Sequence, residues 1–170
     1  MNAMRKKIFK QLNKRDKMET ATFAMGCFWK PQFIFSQVPG VKSTTVGYTG
    51  GKVNNPNYRQ VCSDTTGHAE AIEIVYDPKR ISYNQLLEVF WNNHDPTQMN
   101  RQGPDVGTQY RSAIFYHDEE QKKVAEQSKQ EIEKKLKIKV VTEVIQADIF
   151  YKAEDYHQNY LTKNKGKVCY

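Results

Sequence analysis

The side chains with the most chemical capacity in this chain are three cysteines, Cys27, Cys62 and Cys169. Three is an odd number and no C-x-x-C pair occurs, so they build neither a disulfide framework nor a zinc finger. In a reducing compartment such cysteines are buried bystanders or reactive thiols. Cys27 sits in Gly26-Cys27-Phe28-Trp29, after a strand-like run (20–25) and before Pro31, a residue tolerated in a first helical turn. A thiol where a strand breaks into a helix meets unpaired N–H groups and the positive end of the helix dipole, and both favour the nucleophilic thiolate. Gly26 lets a substrate approach the sulfur, and Phe28 and Trp29 offer an apolar wall. A core cysteine between two core aromatics fits the same residues, and position alone does not choose between the two.

Glu70, in Gly67-His68-Ala69-Glu70, is in phase with Ile72, Ile74 and Tyr76 of a strand over 69–76. A carboxyl leaning into apolar surroundings holds its proton towards neutral pH and can act as an acid; a Glu at a strand mouth that meets water is the plainer alternative. His68 reads as a loop hydrogen-bonder. Tyr58, Tyr110 and Asp105 lie in or beside turn-rich segments, where phenols could donate to a substrate oxygen, although ten tyrosines make packing the default for each. Cys169 stands in a basic tail whose eight residues from 162 to 169 can extend ~25–30 Å. Paired with an activated Cys27 it reads as a resolving thiol that turns a sulfenic acid into a disulfide. Cys62, flanked by Val61, reads as structural. The histidines have no metal-ligand spacing, so no metal is expected.

The elements that must position these groups alternate without strict βαβ order. Strands are predicted over 20–25, 41–48, 69–76, 110–116 and 138–146. Helices are predicted from Cys27 through Phe35, from a Ser82/Gln85 capping box through Trp91, from Asp118 along a stripe of Val124, Ser128, Ile132 and Leu136, and over 153–161. Residues 93–109 read as a long polar loop of the functional kind. The expected fold class is α+β, a mixed, largely antiparallel sheet backed by helices.

The 170 residues fit one domain, expected over 20–161, between a basic extension (1–19) and a mobile tail (162–170). No stretch is apolar enough for a membrane span and the first twenty residues lack the apolar core of a secretory signal, so a cytoplasmic protein is expected. The formal charge of +7 sits largely at the two ends, which speaks for solubility and against a nucleic-acid surface.

Together these residues resemble the peptide methionine sulfoxide reductases of the A type over about 20–169. The resemblance rests on ATFAMGCFW (21–29), GYTGG (47–51), NPNYRQVC (55–62), TGHAEA (66–71), NNHDPTQ (92–98), RQGPDVGTQYRSAIF (101–115) and AEDYHQNYL (153–161). It implies a ferredoxin-like plait, with Cys27 as nucleophile on the sulfoxide sulfur and Phe28 and Trp29 holding the substrate methyl. Glu70 would protonate the departing oxygen, Tyr58 and Tyr110 would hydrogen-bond it, and Asp105 would organise nearby water. Cys169 would recycle Cys27. The implied substrate is methionine S-sulfoxide, free or in peptides and proteins, with thioredoxin as reductant, no cofactor and a monomeric enzyme. Lys30-Pro31 replaces the small residue usual after Trp29, and Asp64 stands where a Gly or Asn-like residue is common. No second tail cysteine follows Cys169, so a relay from Cys27 to Cys169 is the simplest scheme. A thiol peroxidase would need the same two cysteines but no methyl pocket, and a basic binding module would need neither.

Overall fold

The computed structural model describes residues 17–167, so Cys169 and most of the basic N-terminal segment lie outside the described residues. The alternating run at the start forms β1 (Glu19–Met25), and the helix ended by Val38-Pro39-Gly40 is α1 (Trp29–Phe35). Then follow β2 (Val41–Thr49), α2 (Tyr58–Cys62) and β3 (Ala69–Tyr76). The Ser82/Gln85 capping box opens α3 (Tyr83–Asn92) as the sequence predicts, each partner bonding the other's backbone N–H. After it come β4 (Arg101–Gln102), β5 (Asp105–Val106), a 3₁₀ turn (Thr108–Tyr110) and β6 (Ser112–Tyr116). The chain continues through α4 (Glu119–Leu136), β7 (Glu143–Gln146), β8 (Tyr151–Lys152), a 3₁₀ turn (Asp155–His157) and α5 (Tyr160–Lys163).

The sheet order is β7-β6-β1-β3-β2-β8. Its central four strands, with α1 and α3 between them, run βαββαβ in the order β6-β1-β3-β2, every neighbour antiparallel. That is the ferredoxin-like plait expected from the resemblance. β7 adds in parallel beside β6, and β8 adds antiparallel beside β2. One face packs Phe23, Ile72, Ile74 and Ile114 against Phe35, Leu86, Leu87, Phe90 and Ala125 of the helices. The other is lined by Ala24, Ala69, Ala71 and Ala113, whose small side chains leave room for Ala147 and Phe150 of the segment joining β7 to β8. Among the described residues no helix is long and apolar enough to cross a membrane.

Several boundaries differ from the sequence reading. Cys27 is not in the first helical turn, because α1 starts at Trp29 with Phe28 as its cap. The 93–109 loop is partly ordered by the β4–β5 hairpin. The strand expected over 138–146 pairs only from Glu143, opposite Ala113 of the short β6. Leu136 lies on the exposed side of α4. The single helix expected over 153–161 is split, with Asn159 in the left-handed region (φ +54°) between the 3₁₀ turn and α5.

Candidate active site

Antiparallel pairing brings one end of three strands together. β1 leaves β3 after Phe23 opposite Ile72, so the first residues of β3 face the corner where the chain turns at Gly26-Cys27. Tyr48, near the end of β2, lies directly across from Glu70. Met25 pairs with Ser112, which brings Tyr110 and the β4–β5 hairpin to the same end. Gly26 makes the corner possible: its φ is +95°, and a Cβ there would lie 2.8 Å from the Cβ and Cγ of Gln102. Gln102 is itself fixed, since its amide bonds both the N–H and the carbonyl of Asp95 at 2.9 Å.

Cys27 is partly buried at this corner. The next backbone N–H, that of Phe28, donates to Glu70 Oε2 at 3.1 Å. The sequence reading assigned such an N–H to the thiolate, whereas the fold gives this one to the carboxyl group. Glu70 is 2% exposed and so does not meet water at a strand mouth. The bond from Phe28 holds its carboxyl beside Cys27.

Two phenols and a second carboxyl complete the polar floor. The Tyr110 hydroxyl is pushed above its ordinary range first by burial, then by Glu70, Cys62, Asp105 and Cys27, each of which repels a phenolate when ionised. Tyr58 is raised likewise, by burial, by its hydrogen bond with the Cys62 thiol, and by Cys62, Glu70 and Tyr110. Both phenols therefore remain proton donors well past neutrality. Burial also raises Asp105. Cys62 is exposed as a residue on α2 rather than buried as a structural cysteine would be, but its sulfur is partly desolvated, which raises the thiol against a lowering from the Tyr58 hydrogen bond.

Above the floor stands an aromatic wall. The Trp29 indole stacks on Tyr160 at 3.8 Å and 11°, and its N–H donates to His157 Nδ1 at 3.0 Å. An indole N–H only donates, so Nδ1 accepts and the neutral ring carries its proton on Nε2. His157 is buried against Phe28, Tyr58 and Tyr156, and its Nε2 has no hydrogen-bond partner among the described residues, with Glu154 3.6 Å away. Burial lowers its basicity, and Glu154 opposes that only in part. Glu154 also accepts from the Tyr48 hydroxyl at 3.1 Å and the Tyr58 N–H at 3.0 Å, tying the wall to the floor.

Cys27, Glu70, Tyr58, Tyr110 and Asp105 thus gather at one sheet end with Gly26, Phe28 and Trp29, while Cys169 lies outside the described residues. His68 is the loop hydrogen-bonder expected, accepting from the Gly51 N–H at 3.0 Å and bonding the Val53 carbonyl at 2.7 Å. Tyr48, Glu154, His157 and Tyr160 were not read as site residues. Their signal lay in AEDYHQNYL and GYTGG, which bear the resemblance but show no chemistry by spacing.

A partly buried thiol beside a buried carboxyl, two protonated phenols and an apolar wall meet at one end of a ferredoxin-like plait, an arrangement suited to an oxidoreductase. A family model described as peptide methionine sulfoxide reductase matches residues 19–170, and the chain belongs to that family. The peptide methionine sulfoxide reductase MsrA of Methanosarcina acetivorans is 56% identical over 153 residues, which cover 89% of this chain and 81% of that protein. Among solved structures, reduced Mxr1 of Saccharomyces cerevisiae superposes with a TM-score of 0.86 at 35% identity, covering 90% of this chain and 89% of the other. Mxr1 in complex with Trx2 matches with a TM-score of 0.61 at 25% identity, over 85% of each chain.

Proposed function

We propose that this protein reduces methionine S-sulfoxide, free or within proteins, to methionine, with Cys27 as the nucleophile and thioredoxin as the final reductant. The observation that carries the assignment of roles is the Phe28 N–H bond to Glu70, which sets a buried carboxyl beside the thiol. A sulfoxide oxygen leaves only when protonated, so nucleophile and proton donor must share one site. Burial favours the neutral carboxyl while the Phe28 N–H bond favours the ionised one; in this reading burial prevails, and Glu70 holds the proton until the oxygen takes it. Tyr58 and Tyr110 donate hydrogen bonds to the same oxygen, and Asp105 orders water at the floor. Phe28 and Trp29 take the methyl group, and Gly26 leaves the approach to sulfur open. Attack joins the Cys27 and methionine sulfurs as the protonated oxygen leaves as water; water then adds to the Cys27 sulfur, the S–S bond breaks and methionine departs with two electrons, which leaves Cys27 as a sulfenic acid. Cys169 then attacks that sulfur, water leaves, and thioredoxin reduces the resulting disulfide.

The working unit in this reading is residues 20–161, with 162–170 as the tail that delivers Cys169 and 1–19 as an extension outside the chemistry. Thiols that must return to the reduced state suit the cytoplasm. The test is incubation with each methionine sulfoxide epimer and dithiothreitol. The parent should form methionine from the S epimer, Cys27→Ser should form none, and Glu70→Gln should be slower by about 10²-fold or more with an unchanged circular dichroism spectrum. Undiminished turnover by Glu70→Gln would remove Glu70 from the mechanism.

A further inference from the structure

Asp64 stands just past the end of α2 and is bound to that helix, its N–H donating to the Val61 carbonyl at 3.1 Å. Its φ of +58° is left-handed, a conformation that suits glycine and strains a residue with a side chain. The side chain kept there reaches across to the turn before β6. The Thr108 N–H donates to Asp64 Oδ1 at 3.1 Å, and the Thr108 hydroxyl donates to the same oxygen. Thr108 opens the 3₁₀ turn that ends at Tyr110. Arg111 anchors the other side of this turn, with Nη1 donating to the Thr108 carbonyl at 2.9 Å and Nη2 to the Gly67 carbonyl at 3.1 Å. On the α2 side, the Tyr58 hydroxyl bonds the thiol of Cys62, two residues before Asp64.

We infer that Asp64 is a positioning residue for the oxygen-binding pair: it clasps the end of α2 to the turn that carries Tyr110, and so holds the Tyr58 and Tyr110 hydroxyls at one spacing. This rests on the reading that both phenols donate to the departing sulfoxide oxygen. Tyr58 has supports of its own, its N–H on Glu154 at 3.0 Å and its ring 4.5 Å from that of His157. Tyr110 is therefore the phenol that shifts when the clasp opens, because its turn loses the bonds to Asp64 and keeps those to Arg111. A donor aimed at developing charge forfeits much of its effect when it is slightly misplaced. Glycine, common at position 64, would suit the backbone but could not accept from Thr108. Asp64 touches neither substrate nor sulfur in this scheme and acts through Thr108.

The test is a single turnover of reduced full-length enzyme with methionine S-sulfoxide, with methionine measured by rapid quench across substrate concentrations. Asp64→Gly removes the acceptor at a φ that glycine adopts freely, so the circular dichroism spectrum should be unchanged. Its maximum rate should fall about two- to threefold at the parent's half-saturating concentration. In a Tyr58→Phe background, where Tyr110 is the remaining donor, the same substitution should slow turnover about tenfold; in a Tyr110→Phe background it should add nothing. Asp64→Asn, which tolerates the left-handed backbone and keeps an oxygen acceptor, should restore the rate. Equal slowing in all three backgrounds would mark a general structural effect and overturn the inference. With Tyr58→Phe/Tyr110→Phe slow, no loss from Asp64→Gly beside Tyr58→Phe would overturn the clasp and leave the phenols their role. Parent-rate turnover by Tyr58→Phe/Tyr110→Phe would instead overturn the reading of the phenols, and the role of Asp64 with it.

Discussion

Tyr58 and Tyr110 reach the site from different elements, α2 and the turn before β6, yet the phenolate of either would be disfavoured by ionised Glu70 or Cys62. As the two proposed donors to one substrate oxygen they would back each other up, so each phenylalanine substitution alone should slow the first turnover modestly. Tyr58→Phe with Tyr110→Phe should slow it by roughly 10²-fold, more than the product of the singles. First-turnover methionine measured by rapid quench decides this, and simple multiplicative effects would show independent roles. Because burial raises both phenols, neither should ionise below the usual tyrosine range, and the pH profile near neutrality should be unchanged in the single variants. At this scale the sequence was most legible where a local pattern carried the chemistry. Glu70 in phase with Ile72 and Ile74 pointed to an apolar face while leaving a strand mouth in water open, and Gly26 pointed to a corner. The Trp29–His157 bond joins residues 128 apart and the Tyr48–Glu154 bond residues 106 apart, and no local pattern encodes either.

Among the elements, the end of α3 is fixed to the sheet by His94. Its Nδ1–H donates to the Phe90 carbonyl at 2.7 Å and its Nε2 accepts from Ser112, which also bonds Thr142. Burial lowers the His94 pKa to about 4, with the Phe90 carbonyl opposing the shift. Between about pH 4 and 6.5 the unfolded chain therefore binds a proton that the folded chain refuses, and stability falls as pH drops through that window. The full shift corresponds to at most about 3 kcal/mol. His94→Gln should flatten the pH dependence of urea unfolding between pH 4 and 6.5, and an unchanged slope would assign the acid limb to other groups. Elements with long apolar periodicity were legible, as α3 and the three central strands attest. The Asn57/Gln60 capping box that opens α2 has the same form as Ser82/Gln85, but five residues give no periodicity to accompany it. The β-branched run from 138 could not reveal that its partner strand is only five residues long. In the 153–161 segment, the Gln158 side chain bonds the carbonyls of Val46 and Ala153, and these contacts compete with a continuous helix.

For the molecule as a whole, the layer between sheet and helices centres on Phe23, whose ring lies 5.8 Å from Phe35, 5.1 Å from Phe90 and 6.1 Å from Tyr83. Phe23→Ala should cost about 3–5 kcal/mol in urea unfolding, and a loss below about 1 kcal/mol would mean that the layer refills the space. The plait was legible from the order of strands and helices together with the resemblance; the addition of β7 and β8 at opposite edges was not, because nothing in their sequences says which edge they join. The chain has two tryptophans, and they differ in setting. Trp91 is locked in the core with its N–H on Ser128 at 2.6 Å, insulated from events at the surface. Trp29 lies face to face with a phenol at the site. Intrinsic fluorescence therefore carries one steady emitter and one responsive one, so a change in emission on adding a sulfoxide ligand reports on the Trp29–Tyr160 stack without any attached dye.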